Sequence, residues 1–330
     1  MDKKKRRIFL AAGLLMVLSA LLSVSLGAAN LTFSQLWQAI RSGPSNTAGY
    51  IFWYARLPRT AACLLCGSAL AASGAVIQAV LQNRLASPGI IGVNAGAGLA
   101  VTICCALGFL SGWAIATSAF LGAMISVLLV VGIARKTGAS RTTVILSGVA
   151  VNALLNALSE ALTTLIPEIG ILTGDFRVGG FSAVSPTRLI PAGVLIIAGL
   201  AVILTLCNEL DVLALGEDTA RSLGLPAKAM LTLFLILAAL LAGAGVSFAG
   251  LLGFVGLIVP HAARRLVGSE SRFLLPLCAI GGAGFVTLSD LCARMLFAPY
   301  ELPAGILMAV LGGPFFLMLL LKRKGGAGHA

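Results

Sequence analysis

Apolar residues along this chain gather into runs of about 20, the length that carries a helix through the roughly 30 Å hydrocarbon core of a bilayer. Short stretches rich in charge, glycine and proline separate them. Ten such runs lie near 8–29, 57–81, 91–110, 113–134, 142–166, 188–207, 227–247, 250–267, 273–297 and 305–321. They predict an all-α polytopic membrane protein. Lipid offers no partner to an unpaired amide, so the spans must be helices or a closed barrel, and the runs lack the alternation of barrel strands. The stretch 229–260 carries no charge and is too long for one helix of ordinary tilt. Glycines at 243, 245, 250, 253 and 256 break it, which predicts a hairpin with both ends on one face.

Composition agrees. The chain is 59% hydrophobic and 10% charged, with a mean hydropathy of +1.04, where soluble domains carry about 25% charge. Ten spans leave no room for a soluble domain, and 1–330 reads as one transmembrane domain. The net charge of +12 does not point to nucleic acid, because the basic residues sit in short clusters between apolar runs. With an even span number both termini share a side. If that side is the cytoplasm, only Arg41, Arg56, Arg59, Arg177, Arg188 and Arg294 of the 23 lysines and arginines fall outside. This positive-inside bias predicts cytoplasmic N and C termini. The apolar run from Ile8 to Ala29 exceeds the core of a secretory signal, so the loose cleavage site Gly27-Ala28-Ala29 is set aside for a retained first helix. Cys63 and Cys66 form a C-x-x-C without a second pair or a redox context. They and the other five cysteines read as small buried hydrophobes. Pairs such as Gly92 and Gly96 predict close helix packing.

Several strings stand in a fixed order. R-L-P-R-T starts at Arg56, followed by G-S-A-L-A-A-S-G-A-V-I-Q and N-R-L-A-S-P-G-I-I-G-V-N-A-G-A. L-A-L-G-E-D-T-A-R-S-L-G-L covers 213–225 and G-F-V-G-L-I-V-P-H-A-A-R covers 253–264. D-L-C-A-R and E-L-P-A-G-I-L-M-A-V-L-G-G-P-F-F close the series. Over about 50–322 the set resembles the permease subunits of type II ABC importers for iron–siderophores, haem and cobalamin. The resemblance implies ten helices, a second permease subunit (a copy or a paralogue), two ATP-binding subunits carrying ATP and magnesium, and a periplasmic or lipid-anchored binding protein. It also implies a bacterial cytoplasmic membrane location, with iron–siderophore the first expectation for cargo and haem or cobalamin after it. The sequence has no G-x-x-x-x-G-K-[S/T] phosphate loop, so the chain is expected to be a transport subunit, not an enzyme, with no cofactor of its own.

The segment 209–228 contains Glu217 and Asp218 after Gly216, Arg221 one turn on, and then Gly224 and Pro226. Acids first, a base later and a Gly/Pro stop predict a short capped helix, with Leu213, Leu215 and Leu223 as apolar contacts. On its chemistry alone a solvated linker helix is the alternative; the resemblance makes it the helix that docks on the ATPase. The resemblance also places Arg56, Arg59 and Arg294 opposite acids of the binding protein. Membrane-interface anchoring remains open for the first two, and pairing with Asp290 one turn earlier for Arg294. The segment 31–50 reads as an outer amphipathic element.

Asn152, Asn156, Glu160 and Thr164 recur every fourth residue and share one face of span 5, where polar groups should meet a cavity or another helix. The resemblance makes this span part of the pathway, with Thr142 and Thr143 at its gate; interhelical hydrogen bonding is the alternative. His261 alone makes no metal site. An ion-coupled secondary transporter, with Glu160 and Asp290 as relays, is the rival reading. The chain departs from the resembled family at Asn83-Arg84-Leu85-Ala86, where Arg84 replaces a proline, and at 171–175.

Overall fold

A computed structural model describes residues 2–27, 32–137, 140–298 and 300–324, without the side chains of Phe33, Leu320 and 322–324. Ala28 and Ala29 of the set-aside cleavage site, and Leu31 of the amphipathic segment, lie outside the described residues. Every regular element described is helical. Helix α1 (Lys3–Ser25) leads to the short α2 (Phe33–Ser42) and α3 (Thr47–Tyr50), and a π-helical turn at Ile51–Arg56 runs into α4 (Leu57–Val80). A 3-10 turn at Pro88–Ile91 precedes α5 (Val93–Ala106), α6 (Gly112–Lys136), α7 (Arg141–Leu165), α8 (Pro167–Val178) and α9 (Pro186–Thr205). The short α10 (Cys207–Ala214) and α11 (Glu217–Ser222) connect to α12 (Ala227–Ala249), α13 (Val255–Val267), α14 (Ser271–Met295) and α15 (Ala304–Lys324).

Each of the ten expected spans meets one helix. Seven are long and apolar enough to cross a bilayer unaided: α1, the run ending in α4, α6, α7, α9, α12 and α14. Helix α8 lies where no element is expected. It is bounded by Pro167 at its start and Gly179 (φ 77°) at its end, the usual punctuation of a helix, but it is too short for the hydropathy pattern to reveal.

Helix α4 forms the centre, packed against α14, α12, α13 and α9. Its sequence from 60 to 80 is mostly alanine, glycine, serine and cysteine, so neighbouring backbones come close, as helices do where hydrocarbon supplies no hydrophobic drive. A Cβ on Gly67 would strike the backbone of Gly282 in α14, and one on Gly74 would strike Gly256 in α13. Gly92 and Gly96 likewise meet Ser126 and Gly122 of α6.

Two spans differ from expectation. Runs 91–110 and 250–267 predict full helices, yet α5 has 14 residues and α13 has 13. At 1.5 Å per residue each is about 20 Å long, short of the hydrocarbon thickness. The 3-10 turn at Pro88–Ile91, closed by Gly92 (φ 99°), delays the start of α5, and exposed turn residues 107–110 end the first run; Gly250 (φ 72°) and Phe254 (φ 65°) interrupt the second. The two breaks meet: Pro88 lies beside Gly256, which abuts Gly74. The expected hairpin of α12 and α13 does return to its starting end, but both arms pack on α4.

The two ends of the bundle differ chemically. At one, Lys5 pairs with Glu270 (3.5 Å), Arg135 donates to Thr232 Oγ1 (3.1 Å) and Arg264 donates to Gln78. These contacts gather the starts of α1, α12 and α14 with the ends of α4, α6 and α13 at a basic end. The opposite end carries all three tryptophans (37, 53, 113) and all three tyrosines (50, 54, 300), each exposed. Such rings favour the membrane–water boundary.

The glycine contacts give a direct test. Gly74→Val should abolish recovery of monodisperse protein in detergent, read by size-exclusion chromatography. Gly132→Val, with open space around its Cα, should be recovered like the unaltered chain.

Candidate functional site

The aromatic end holds an ion cluster. Asp290, fully buried on α14, accepts from Arg59 Nε and Nη2, both at 3.0 Å. Arg59 Nη1 reaches Glu301 at 2.7 Å. Arg294 Nε lies 3.2 Å from Asp290, and its Nη2 donates to Ser23 Oγ at 2.9 Å. Arg56 donates to the carbonyls of Val24 (2.9 Å) and Ser25 at the close of α1. Carbonyls there have no helical partner and carry the negative end of the dipole. The cluster therefore joins α1, α4, α14 and the loop before α15. The resemblance implies a docking role for Arg56, Arg59 and Arg294; in this chain Arg56 and Arg294 are only 4% and 3% exposed, their guanidiniums turned into the chain. Arg59 keeps 13% of its side chain open, beside the more exposed Glu301. The Arg294–Asp290 pairing left open by the spacing is present, and Asp290 is locked between two guanidiniums.

The polar stripe of α7 divides. Asn152 Nδ2 donates to the carbonyls of Gly89 (2.8 Å) and Ile90 (3.1 Å) in the 3-10 turn before α5. Thr164 turns onto the carbonyl of Glu160 in its own helix. Asn156 and Glu160 line a cavity of about 190 Å³ with Asn94, Gly98, Ser159, Arg177 and Leu251. There Ser159 Oγ accepts from Arg177 Nη2 (2.7 Å) and bonds Thr102 Oγ1 (3.0 Å). Asn94 and Arg177 escape the sequence reading because they stand on α5 and α8 and reach the stripe only through packing; Ser159 stands on α7 beside the stripe but outside its every-fourth-residue period. At the second break Leu251 N donates to Phe176 O at 2.8 Å. Inside α13, Pro260 has no amide hydrogen for the carbonyl of Gly256 four residues earlier, and Gln78 Nε2 donates to that carbonyl (3.1 Å) while its Oε1 accepts from Arg264.

At the basic end, α11 begins after Gly216 (φ 129°) and is followed by Gly224 (φ 83°). Arg221 pairs with Glu217 one turn earlier, and Asp218 stands beside Glu217 in the first turn. Leu213 is buried, whereas Leu215 and Leu223 are 65% and 64% exposed. Three contacts tie this segment to membrane helices. Arg141 Nη2 donates to Leu213 O (2.8 Å), Gln82 Nε2 to Ala214 O (2.6 Å), and Asp211 accepts from Ser271 N (3.0 Å) and Oγ (2.6 Å). Arg141 opens α7 immediately before Thr142, which is exposed, and Thr143, whose hydroxyl bonds Ser140 Oγ (2.7 Å). His261 stacks edge-on against Phe315 of α15. No group of three or more histidine, cysteine or acidic side chains suited to a metal ion occurs among the described residues.

A helical bundle with interrupted spans, an open cavity lined by polar side chains and a short helical segment tied to three membrane helices has the build of a permease. The model of the FecCD transport family matches residues 15–322, and the chain belongs to that family. It is 37% identical over 327 residues, 97% of each chain, to the vitamin B12 import system permease protein BtuC of Salmonella typhi, with the same figures for that of Salmonella newport. Among solved structures, an inward-facing conformation of a proposed metal-chelate type ABC transporter superposes with a TM-score of 0.85 at 30% identity, covering 96% of this chain and 99% of the other. PsaBC of Streptococcus pneumoniae in complex with Fab, at 17% identity and a TM-score of 0.58 over 82% of this chain and 92% of that one, supports the fold alone.

The ion cluster carries its own prediction. Asp290→Asn removes the shared counter-charge of Arg59 and Arg294, and breaking a buried pair costs about 3–5 kcal/mol. Thermal unfolding in detergent should shift down clearly, and Asp290→Asn combined with Arg294→Met should recover part of the loss. An unchanged midpoint for Asp290→Asn would contradict the burial of charge described here.

Proposed function

We propose that this chain is the membrane-spanning permease subunit of an ATP-driven importer for a metal chelate, working by alternating access in a bacterial cytoplasmic membrane. The observation that carries this reading is the triple tether of α10, which leads directly into α11. A push on the exposed leucines 215 and 223 is passed through Arg141, Gln82 and Asp211 to the ends of α7, α4 and α14 at once. Leu213, Gly216, Glu217, Asp218, Arg221 and Gly224 shape that lever, and it docks on an ATP-binding partner that supplies nucleotide and magnesium. The basic end faces the cytoplasm by the positive-inside rule, which puts ten spans between cytoplasmic termini. A second permease subunit completes the pathway against α7, with Asn156 and Glu160 lining its wet part and Thr142 and Thr143 at the inner gate.

The cargo is a metal chelate. The relatives are named for vitamin B12 import and for metal-chelate transport, and a hydrophilic chelate suits a polar cavity in place of a tight coordinating site. Outside, the binding protein meets the face around Arg59, where charge pairs set docking register more than raw affinity.

The purified chain alone should hydrolyse no ATP. Co-expressed with its ATPase, Glu217→Lys with Asp218→Lys should lower transport and coupled hydrolysis several-fold while membrane insertion is kept; wild-type coupling would remove the docking assignment. Uptake of radiolabelled cobalamin, ferric siderophore and haem into proteoliposomes holding the full importer identifies the cargo, and accumulation without ATPase would refute the ATP-driven reading. Outside, Glu301→Gln takes away the exposed acid that shares Arg59. Docking of an acidic binding protein should then tighten, most at low ionic strength; unchanged docking would return Arg59 to a structural role.

A further inference from the structure

Helix α2 lies at the aromatic end with its two sides unlike each other. Thr32 and Gln35 form a reciprocal cap at its start, Thr32 N donating to Gln35 Oε1 at 2.9 Å. Leu36, Trp37 and Ile40 make an apolar side, and Ser34, Gln38 and Arg41 a polar one. Within the chain α2 packs chiefly on α3 and the π-helical turn, and Trp53 Nε1 holds Ala39 O at 3.0 Å. Its apolar side is left facing the outer halves of α1 and α4 across an open groove of about 580 Å³. Val17 and Leu21 of α1, Leu36 and Trp37 of α2, and Phe52 and Leu64 beyond them line this space. Its size falls within the range of about 300–1,000 Å³ typical of small-molecule sites.

We propose that this groove holds an acyl chain of an anionic phospholipid of the outer leaflet, with its phosphate on Arg41. Three observations select that occupant. The groove opens at the level of the exposed aromatic rings, where the bilayer boundary lies. An amphipathic helix beside such a boundary buries its apolar side among acyl chains and draws anionic headgroups with its cations. Arg41 is the only charged residue between Arg7 and Arg56, and its guanidinium stands over the Trp37 ring at 4.9 Å, at the rim of the groove. Guanidinium is the group that grips phosphate with paired hydrogen bonds. The lipid is thus a structural wedge between α2 and the bundle, independent of which cargo is carried.

The test uses the complete importer in nanodiscs containing phosphatidylglycerol or phosphatidylcholine with a photoreactive diazirine at the tail end, followed by peptide mapping. Label should concentrate on 17–24, 36–40 and 57–64 over the lipid-facing residues 121–129 of α6. Arg41→Gln should remove the several-fold preference for phosphatidylglycerol while leaving tail labelling by phosphatidylcholine. Ala20→Phe, or Leu21→Trp at an exposed position, should fill the groove and lower labelling by both lipids. Equal labelling of the groove and of α6, or labelling indifferent to both filling variants, would overturn the site. Equal labelling by the two headgroups in the unaltered chain would overturn the role of Arg41. Protection of the groove in the importer but not in the isolated chain would assign it to a protein partner instead.

Discussion

Hydrocarbon gives a backbone amide or carbonyl nothing to bond to, and this bundle nevertheless interrupts its α-helical pattern at two buried places, the 3-10 turn before α5 and the bend before α13. Everything near the centre answers that constraint. Asn152 donates to two carbonyls of the first break, Phe176 O takes the amide of Leu251 in the second, and Gln78 takes the Gly256 carbonyl that Pro260 leaves free in α13. The breaks touch each other and the glycine face of α4, so three elements that would otherwise be separate share one contact. A discontinuous span of this kind leaves short helices with free ends inside the membrane, and transport proteins form their pathways from such elements. The cavity beside Glu160 opens at the same breaks, with Leu251 and Asn94 contributing from either one.

The two ends of the bundle handle charge differently. At the aromatic end a buried carboxylate draws two arginines inward, and the cluster gathers α1, α4 and α14 into one rigid cap. Such a cluster is weak evidence for net stability, since desolvation opposes the attraction. Its geometry instead fixes how the helix ends sit. At the basic end the contacts are single hydrogen bonds from Arg141, Gln82 and Asp211 to one short segment. A segment held by a few bonds to three helices can move as a unit and carry them along.

Much of this architecture was legible in the chain itself. Ten apolar runs match ten helices, because span length is set by bilayer thickness and needs no partner to define it. The short helix 217–222 follows from its acids, base and glycines, all local. The ordered motifs pointed to the family that the whole-chain comparison shows. Helix α8, and the shortness of α5 and α13, were not legible. Hydropathy reports whether a residue tolerates lipid, and extended chain with Gly and Pro can be as apolar as helix once its carbonyls are bonded elsewhere.

The site residues divide along the same line. Sequence alone determined that lipid surrounds the molecule, which end is basic, and that Asn156 and Glu160 share a face, since composition and helical period decide these. Only the tertiary structure decided that Asn152 bonds the turn before α5, that Arg56 and Arg294 turn inward, and that Asp211 and Gln82 tie down α10. Each of those side chains bonds a partner between about 30 and 130 residues away or more, except for the Arg294–Asp290 pair one turn apart. A polar side chain in low dielectric takes whichever partner folding brings within reach, and no periodicity along the chain records that choice.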